Sequence, residues 1–464
     1  MDCRNFMADS FWEQPVASGP QPASGSRFDV IVVGGGPGGA AAAGYAALAG
    51  QRVLLLDKAI WPRDKTCGDA VGGKSLARVE ELGVRSRIEA SPHFSITGVL
   101  FSSPRGDELR VSRSDGQLSG YVLPRRQFDY IMFQRAVELV QQAGGAVVQG
   151  FAVREVLFDN TANGPDPGPG MGDLRRVIGV AGDTGDRASP LSFSAPLTIG
   201  AGGVRCPVAT AVVQEIYDGR MVDREKLHYS AAFRQYWRNV EGATADSGPV
   251  EFHYIDGVLP GYFWIFPVGG GVCNVGFGIA LRDLELHDRK LRGLQEYIIN
   301  EVPRFRDRFA QAELIAGSSR GWQLPLGSPR PGEKLQPRRA FAAGAMLVGD
   351  AASLVDPFTG EGIGNALLSA KLALGHFDRE EHARGFPLEA GARYQRALWK
   401  RLGYELRNSY KIQRLSRHRW LLNWFIGKAR RKAELRRVLT ESLMSREAQA
   451  SLTSPFFLLR QLLF

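Results

Sequence analysis

A run of glycines after a short β-branched segment constrains this chain more than any other feature. Phe28-Asp29-Val30-Ile31-Val32-Val33 suits a buried parallel strand, and it runs directly into Gly34-Gly35-Gly36-Pro37-Gly38-Gly39. A small-residue helix follows to Ala49, Gly50 ends it, and Arg52–Asp57 reads as the next strand. Within the loop, Gly34 permits the tight turn, Gly36 lets a pyrophosphate approach the backbone, and Gly39 lets helix and strand pack closely. The helix start, with Gly38 in its first turn, offers free N–H groups and a positive dipole end. Asp57 closes the second strand where a carboxylate can accept from ribose hydroxyls, with Lys58 beside it. A lone glycine motif says little. Strand, helix, second strand and terminal acid in register mark a dinucleotide-binding start.

At 464 residues the chain is too long for one ordinary domain. Residues 1–26 carry Asp2, Asp9 and Glu13 and lack an apolar stretch, so they read as a flexible lead rather than a signal peptide. Residues 27–93, 123–214 and 338–385 form a discontinuous nucleotide domain. Residues 94–122 and 215–337, richer in strand patterning, form a second, substrate domain. Residues 146–200 read as a β-meander broken by a mobile Gly/Pro/Asp loop at 160–172. Residues 386–464 form a basic helical region. The expected class is α/β: a Rossmann-like domain with an inserted antiparallel β-sheet domain and a C-terminal helical region.

The net charge of +10 is concentrated near the end. Between Arg393 and Arg437 fifteen Lys/Arg face only Glu405 and Glu434, so the rest of the chain is slightly acidic. Four cysteines without CxxC spacing form no disulfide framework and no metal site, and a reducing, cytoplasmic setting fits them.

Far downstream, Gly349-Asp350 follows a strand and precedes Val355-Asp356-Pro357-Phe358-Thr359-Gly360-Glu361-Gly362-Ile363-Gly364, which enters a helix. Here the chain resembles the flavoprotein monooxygenase and reductase superfamily. The resemblance implies FAD, with Asp350 on the ribitol side and the helix start at Gly360, Gly362 and Ile363 facing the isoalloxazine. Arg125, in Arg125-x-x-Phe128-Asp129, matches a further position near the cofactor, although the pattern alone also admits a helix-cap arginine. One departure is that Gly202 stands where many relatives carry Asp. That leaves the reductant open among NADPH, ferredoxin or another reduced carrier.

Two motifs narrow the family. Asp64-Lys65-Thr66-Cys67-Gly68-Asp69-Ala70, and Gly261-Tyr262-Phe263-Trp264-Ile265-Phe266-Pro267 with its downstream Gly276-Phe277-Gly278, together resemble the geranylgeranyl reductase family. The resemblance implies reduction of C=C bonds in an isoprenoid chain on a lipid, quinone or pigment. It places Cys67, with Gly68 and Ala70, beside the flavin, where the thiol assists proton delivery or shapes the cavity. The neighbouring Arg63 and Lys65 would favour thiolate character there and Asp64 and Asp69 would oppose it. The aromatic residues also make sense unaided. On a strand, Tyr262, Trp264 and Phe266 point to one face and Phe263 and Ile265 to the other. Aromatic faces attract positive character that builds on an alkene carbon during protonation. A plain aromatic core strand is the simpler alternative. Rival functions are a flavin monooxygenase or halogenase of the same fold, against which Tyr262 and Phe266 weigh, and a non-catalytic prenyl-binding flavoprotein.

Near the chain end, Trp420-Leu421-Leu422-Asn423-Trp424-Phe425-Ile426 lies between clusters of Arg and Lys, and 456–464 is again apolar. Basic residues with Trp, Phe and Leu at helical spacing suit an interfacial helix, so attachment to a membrane surface is an open expectation beside a helix packed on the core. Nucleic acid is a poor fit, because no recognised module accompanies the charge.

Overall fold

The computed structural model describes residues 19–112, 120–159, 175–216, 225–330 and 338–432. The expected mobile loop at 160–172 and the apolar end at 456–464 lie outside them.

The β-branched strand Val30–Val33 is buried at every position and sits inside a six-stranded sheet. Val53–Asp57 and then Ala146–Gln149 lie on one side of it, and Leu197–Gly200, Ala345–Leu347 and Phe341–Ala342 on the other. All neighbours run parallel except the last pair. The small-residue helix Pro37–Leu48 packs on this sheet, with Ala40–Ala43 almost fully buried.

The stretch 146–200 differs from the simple meander expected of it. Its ends, Ala146–Gln149 and Leu197–Gly200, join the parallel sheet, and only Ala152–Asp159, Arg176–Asp183 and Leu191–Ser194 form an antiparallel three-stranded sheet. The burial pattern is the reason, since Leu197–Gly200 is covered on both faces as a parallel strand requires. The chain leading into the first strand is stitched here too: Gly25 N–H donates to Ser192 O (2.8 Å) and Phe28 N–H to Ser194 O (2.9 Å).

The large sheet holds ten strands. It is antiparallel apart from Ser247–His253, which runs parallel to Phe94–Ser102. Its last strand, Ala70–Gly72, comes from the segment that leaves the six-stranded sheet after Asp57. The strand Tyr262–Gly269 divides two cores by alternation. Phe263 and Ile265 pack with Val275, Phe277 and Phe305 under the helices Leu291–Glu301 and Pro303–Phe309, while Trp264 and Phe266 pack with Phe94 and Val250 on the other face.

The long helix Leu388–Leu415 buries Tyr394, Leu398, Leu402 and Leu406 in the nucleotide-side core. The helix Arg419–Arg431 lays Leu422, Ile426 and Ala429 on Leu109, Val111 and Tyr254 of the large sheet. Among the described residues, no helix is long and apolar enough to cross a membrane.

One buried ion pair tests how tightly the large sheet is held. The Glu251 carboxylate accepts from Arg308 Nη1 (2.6 Å) and lies 2.8 Å from His253 Nε2. Burial would raise its pKa, but His253 and Arg308 overrule it and hold the group down at about 2. Because the folded pKa is depressed, this contribution is present above the ordinary range near 4.5 and is lost as pH falls toward 2. Glu251→Gln should therefore lower stability by about 3 kcal/mol in urea unfolding at neutral pH, and the gap to wild type should close as pH falls through that window.

Candidate active site

The two sheets enclose one cavity of about 1600 Å³, and of the residues singled out from the sequence all but Gly39 line it. Gly39 serves the wall from behind. A Cβ there would stand 1.7 Å from Gly34 O, so helix and strand meet as closely as the spacing requires. Gly34 has φ +109°, and its own Cβ would fall 2.6 Å from Ala201 O. Gly36 is the uncapped start of the helix, with no acid in its first turn. Its open face lies against the Arg63 guanidinium. Asp57 accepts from Gly35 N–H (2.5 Å) and Ala59 N–H (2.7 Å), which fixes the carboxylate at the loop.

At the other end of this wall, Gly349 (φ +59°) lets the chain turn against Ala366. The Asp350 carboxylate pairs with Lys65 Nζ at 2.9 Å across the cavity. The loop 356–362 then leads into the helix Ile363–Leu374. This helix start is not a bare positive end. Glu361 Oε1 accepts from Gly364 N–H (2.6 Å), and its charge faces Lys74, which also bonds Asn365 Oδ1 (2.7 Å) and Glu405. Asp356 accepts from Ser409 Oγ (2.5 Å) and from the Phe358 and Thr359 N–H groups. Desolvation raises the pKa of both Asp356 and Glu361.

The third wall is aromatic. Tyr262, Trp264 and Phe266 line the cavity in a row, and Phe252 stacks edge-on against Tyr262 and Phe266 at 5.1 and 5.0 Å. The Tyr262 hydroxyl donates to Thr359 O, joining this strand to the loop before Ile363. The glycines of the motif now have physical reasons. A Cβ on Gly68 would come within 2.8 Å of the Phe266 ring, one on Gly276 within 2.4 Å of the Trp264 ring, and one on Gly261 within 1.8 Å of Gly278 O. The backbone is bare where aromatic rings or a second backbone must lie on it.

The half-buried Cys67 thiol lies within electrostatic reach of the Arg125 guanidinium and of the Tyr262 phenol. The cations expected from sequence proximity are engaged elsewhere: Arg63 pairs with Asp129 (2.7 Å) and Lys65 with Asp350. Arg125, distant in sequence, is the cation at the thiol. It is no surface cap. It is buried, and Asp129 receives it through two bonds of 2.6 and 2.8 Å. Burial would lower its pKa, but Asp129 and Cys67 together raise it, so it stays charged.

Residues 230–317 match the geranylgeranyl reductase catalytic domain, and residues 27–153 match an FAD binding domain. A menaquinone reductase of Mycobacterium tuberculosis is 30% identical over 377 residues, covering 80% of this chain and 81% of that one. The chain belongs to the geranylgeranyl reductase family. A digeranylgeranylglycerophospholipid reductase of Methanoculleus marisnigri is 28% identical over 395 residues, covering 84% of this chain and 86% of that one. Among solved structures, a geranylgeranyl bacteriochlorophyll reductase-like protein from Thermoplasma acidophilum superposes with a TM-score of 0.70 at 21% identity, covering 92% of this chain and 98% of that one. A flavin-dependent brominase superposes at 0.69 with 18% identity over 92% of this chain and 97% of that one, a likeness of fold alone.

The protein is thus an FAD-dependent oxidoreductase of this family, and the cavity fits the cofactor. Gly34 and Gly36 leave a cradle that side chains would fill, the uncapped helix start offers N–H groups to a pyrophosphate, and Asp57 stands beside it. We assign Arg63 to the same end. It sits over Gly36, stacked on Trp61 at 4.4 Å, and no sequence motif pointed to it. Gly202 lines the cavity against Cys206, so no acid occupies the position where many flavoprotein relatives carry one.

A polar network behind the aromatic wall also escaped the sequence reading. Asn274, fully buried, accepts from Trp264 Nε1 (2.8 Å) and donates to Cys67 O (2.7 Å) and to Asp69 Oδ2 (2.6 Å). The signal was a single amide in the otherwise apolar strand Val272–Ala280. A Cβ on Gly276 would meet Phe233 O at 2.3 Å as well as the Trp264 ring at 2.4 Å, so Gly276→Ala should displace the indole. The expected outcome is about 3 kcal/mol less stability in thermal unfolding and a turnover lower by about tenfold in the folded fraction.

Proposed function

We propose that the protein saturates C=C bonds of a prenyl chain carried on a quinone or lipid. The observation that carries this reading is the continuity of the cavity. The same cavity is lined by the flavin-side loop, by Tyr262, Trp264 and Phe266, and by the apolar side chains of Val99, Phe101, Ile412, Leu421 and Phe425. Such a lining holds a hydrocarbon chain by burial, at about 0.8 kcal/mol per CH₂. Bound FAD, once reduced, supplies hydride at its N5 position. The residues here do the rest. The aromatic row excludes water and presents ring faces to the carbon that gains positive character. The Tyr262 phenol, its pKa pushed up by burial, stays protonated, and Cys67 beside Arg125 stands ready to deliver a proton. The menaquinone reductase and digeranylgeranylglycerophospholipid reductase relatives support a substrate of this class. Dithionite-reduced enzyme should add one H₂ per reduced bond to a polyprenyl menaquinone or a geranylgeranyl lipid, read by mass spectrometry. Recovery of both substrates unchanged would reject the reading.

The last two described helices support docking on an anionic membrane surface. Leu415, Leu421 and Phe425 of the helices Leu388–Leu415 and Arg419–Arg431 line the cavity, and Trp420 beside them is 62% exposed. The helix Arg419–Arg431 turns its apolar face inward, and Lys428 lies over the Trp424 ring at 5.4 Å. Basic side chains around an exposed Trp suit anionic headgroups. Co-sedimentation with phosphatidylglycerol vesicles, absent with phosphatidylcholine, is the expected result. The double change Lys428→Ala and Arg431→Ala should weaken it roughly thirtyfold, at roughly 1 kcal/mol per basic residue.

A further inference from the structure

Cys67 and Trp264 come from different segments, one on the crossing between the sheets and the other in the middle of the large sheet. A single amide spans them. Asn274 presents its oxygen to the Trp264 indole N–H (2.8 Å) and its nitrogen to the Cys67 carbonyl (2.7 Å). A carboxamide can face either way, and reversing it would set donor against donor at Trp264 and acceptor against acceptor at Cys67. What selects one orientation is Asp69. Its Oδ2 takes the Asn274 nitrogen (2.6 Å) and the Tyr236 hydroxyl (2.5 Å), and its Oδ1 takes Arg125 N–H (3.3 Å). An ionised carboxylate only accepts, so it dictates which end of the amide turns toward it.

Asp69 is fully buried and sits at φ +68°, a left-handed conformation that costs of order 1 kcal/mol or more for a non-glycine residue. A strained, buried, charged residue persists only where its surroundings hold it there. We propose that Asp69 and Asn274 are positioning residues for the reduction: the carboxylate orients the amide, and the amide fixes the Cys67 segment against the Trp264 ring. The inference rests on the prenyl-reductase reading for its kinetic consequence, but not for its geometric one.

The charge state of Asp69 matters to this arrangement. Burial pushes its pKa up to about 6, against the opposing pull of Arg234. The groups facing it are Arg234 and Tyr236 from the strand Tyr229–Arg238, Asp64 and the Cys67 carbonyl from its own segment, Asn274 from Val272–Ala280, and the Arg125 N–H. Protonation below that pH adds a donor to the carboxyl and weakens its hold on the amide nitrogen.

Two isosteric changes test the inference in the FAD-loaded enzyme. Asp69→Asn removes the charge while asparagine tolerates the left-handed backbone. Asn274→Asp keeps an acceptor for Trp264 and removes both donors. Each should lower kcat per bound flavin roughly 10- to 100-fold, with KM for polyprenyl menaquinone little changed. Each should also speed alkylation of Cys67 by iodoacetamide severalfold, read by peptide mass spectrometry. The acidic limb of kcat near pH 6 that Asp69 contributes should vanish in Asp69→Asn. Loss of flavin and melting temperature with kcat per bound flavin and Cys67 reactivity unchanged would overturn the inference, as would no change in either. If wild type reduces no prenyl substrate, the functional reading fails, and the alkylation rate alone then decides for or against the geometric role.

Discussion

The segment Arg63-Asp64-Lys65 joins the parts of this molecule. Each of its three charges is claimed by a different element. Arg63 reaches Asp129 on the helix Arg125–Gln142, Lys65 reaches Asp350 after the last parallel strands, and Asp64 receives Arg234 through bonds of 2.8 and 2.9 Å to its two oxygens. Arg234 is fully buried in the large sheet, held also by Ser318 O (2.9 Å) and lying over the Tyr236 ring at 4.3 Å. A guanidinium so enclosed is tolerable only while paired, and stripping away such a partner typically costs about 3–5 kcal/mol. The crossing between the two sheets is therefore fixed by the interior charge of one and the cofactor-side acids of the other. Gly68 and Cys67 inherit their position from that arrangement.

The sequence made the architecture legible wherever the signal was local. The glycine spacing at Gly34–Gly39 implies a backbone contact with Gly34 that the structure contains. Alternation along Tyr262–Phe266 implies two faces, and Trp264 and Phe266 do part from Phe263 and Ile265 into separate cores. What stayed hidden required knowledge of partners far away in the chain. Charges adjacent to Cys67 in sequence suggest its electrostatic company, yet a segment crossing between sheets turns successive side chains toward different neighbours. Arg125, on a helix that starts after the strand Gly120–Val122, reaches the thiol instead. The stretch 146–200 departs from its expected meander for a related reason. Strand propensity says nothing about whether a strand is covered on both faces, and coverage decides which sheet it joins.

Glycine and aromatic residues in the family motif are complementary parts of one surface. Trp264 lies on Gly276, Phe266 on Gly68, and Tyr262 reaches across Gly360 to Thr359 O. Each ring gains its orientation from a backbone without a side chain, which explains why the motif couples large residues on one strand with bare positions on its neighbours. Rotation of any ring would either meet the next backbone or open the apolar face to water. The rings are seated by close contact with these glycines.

The cavity's lining combines two kinds of chemistry, and this limits where a proton can come from. The glycine loop and Asp350 bring charged and polar groups to the lining, while Val99, Phe101, Leu421, Leu422, Phe425 and Ile426 bring hydrocarbon, beside polar groups such as Glu405 and Gln413. A prenyl chain of the kind proposed would displace water from the aromatic row, and this would strengthen the attraction of the ring faces for a carbon that gains positive character. The same exclusion removes bulk water as a ready acid. Under the proposed function the proton would come from a group of the wall, where Cys67 and the Tyr254 and Tyr262 phenols stand. Tyr262 spends its hydroxyl on Thr359 O, and the Asp356 and Glu361 carboxyls bond backbone N–H groups of the loop that leads into Ile363–Leu374. Cys67 has different company: the cation within its electrostatic reach is Arg125, which Asp129 holds through two bonds of 2.6 and 2.8 Å. An arginine already paired with Asp129 brings a cation to the thiol without placing a net charge beside the aromatic wall.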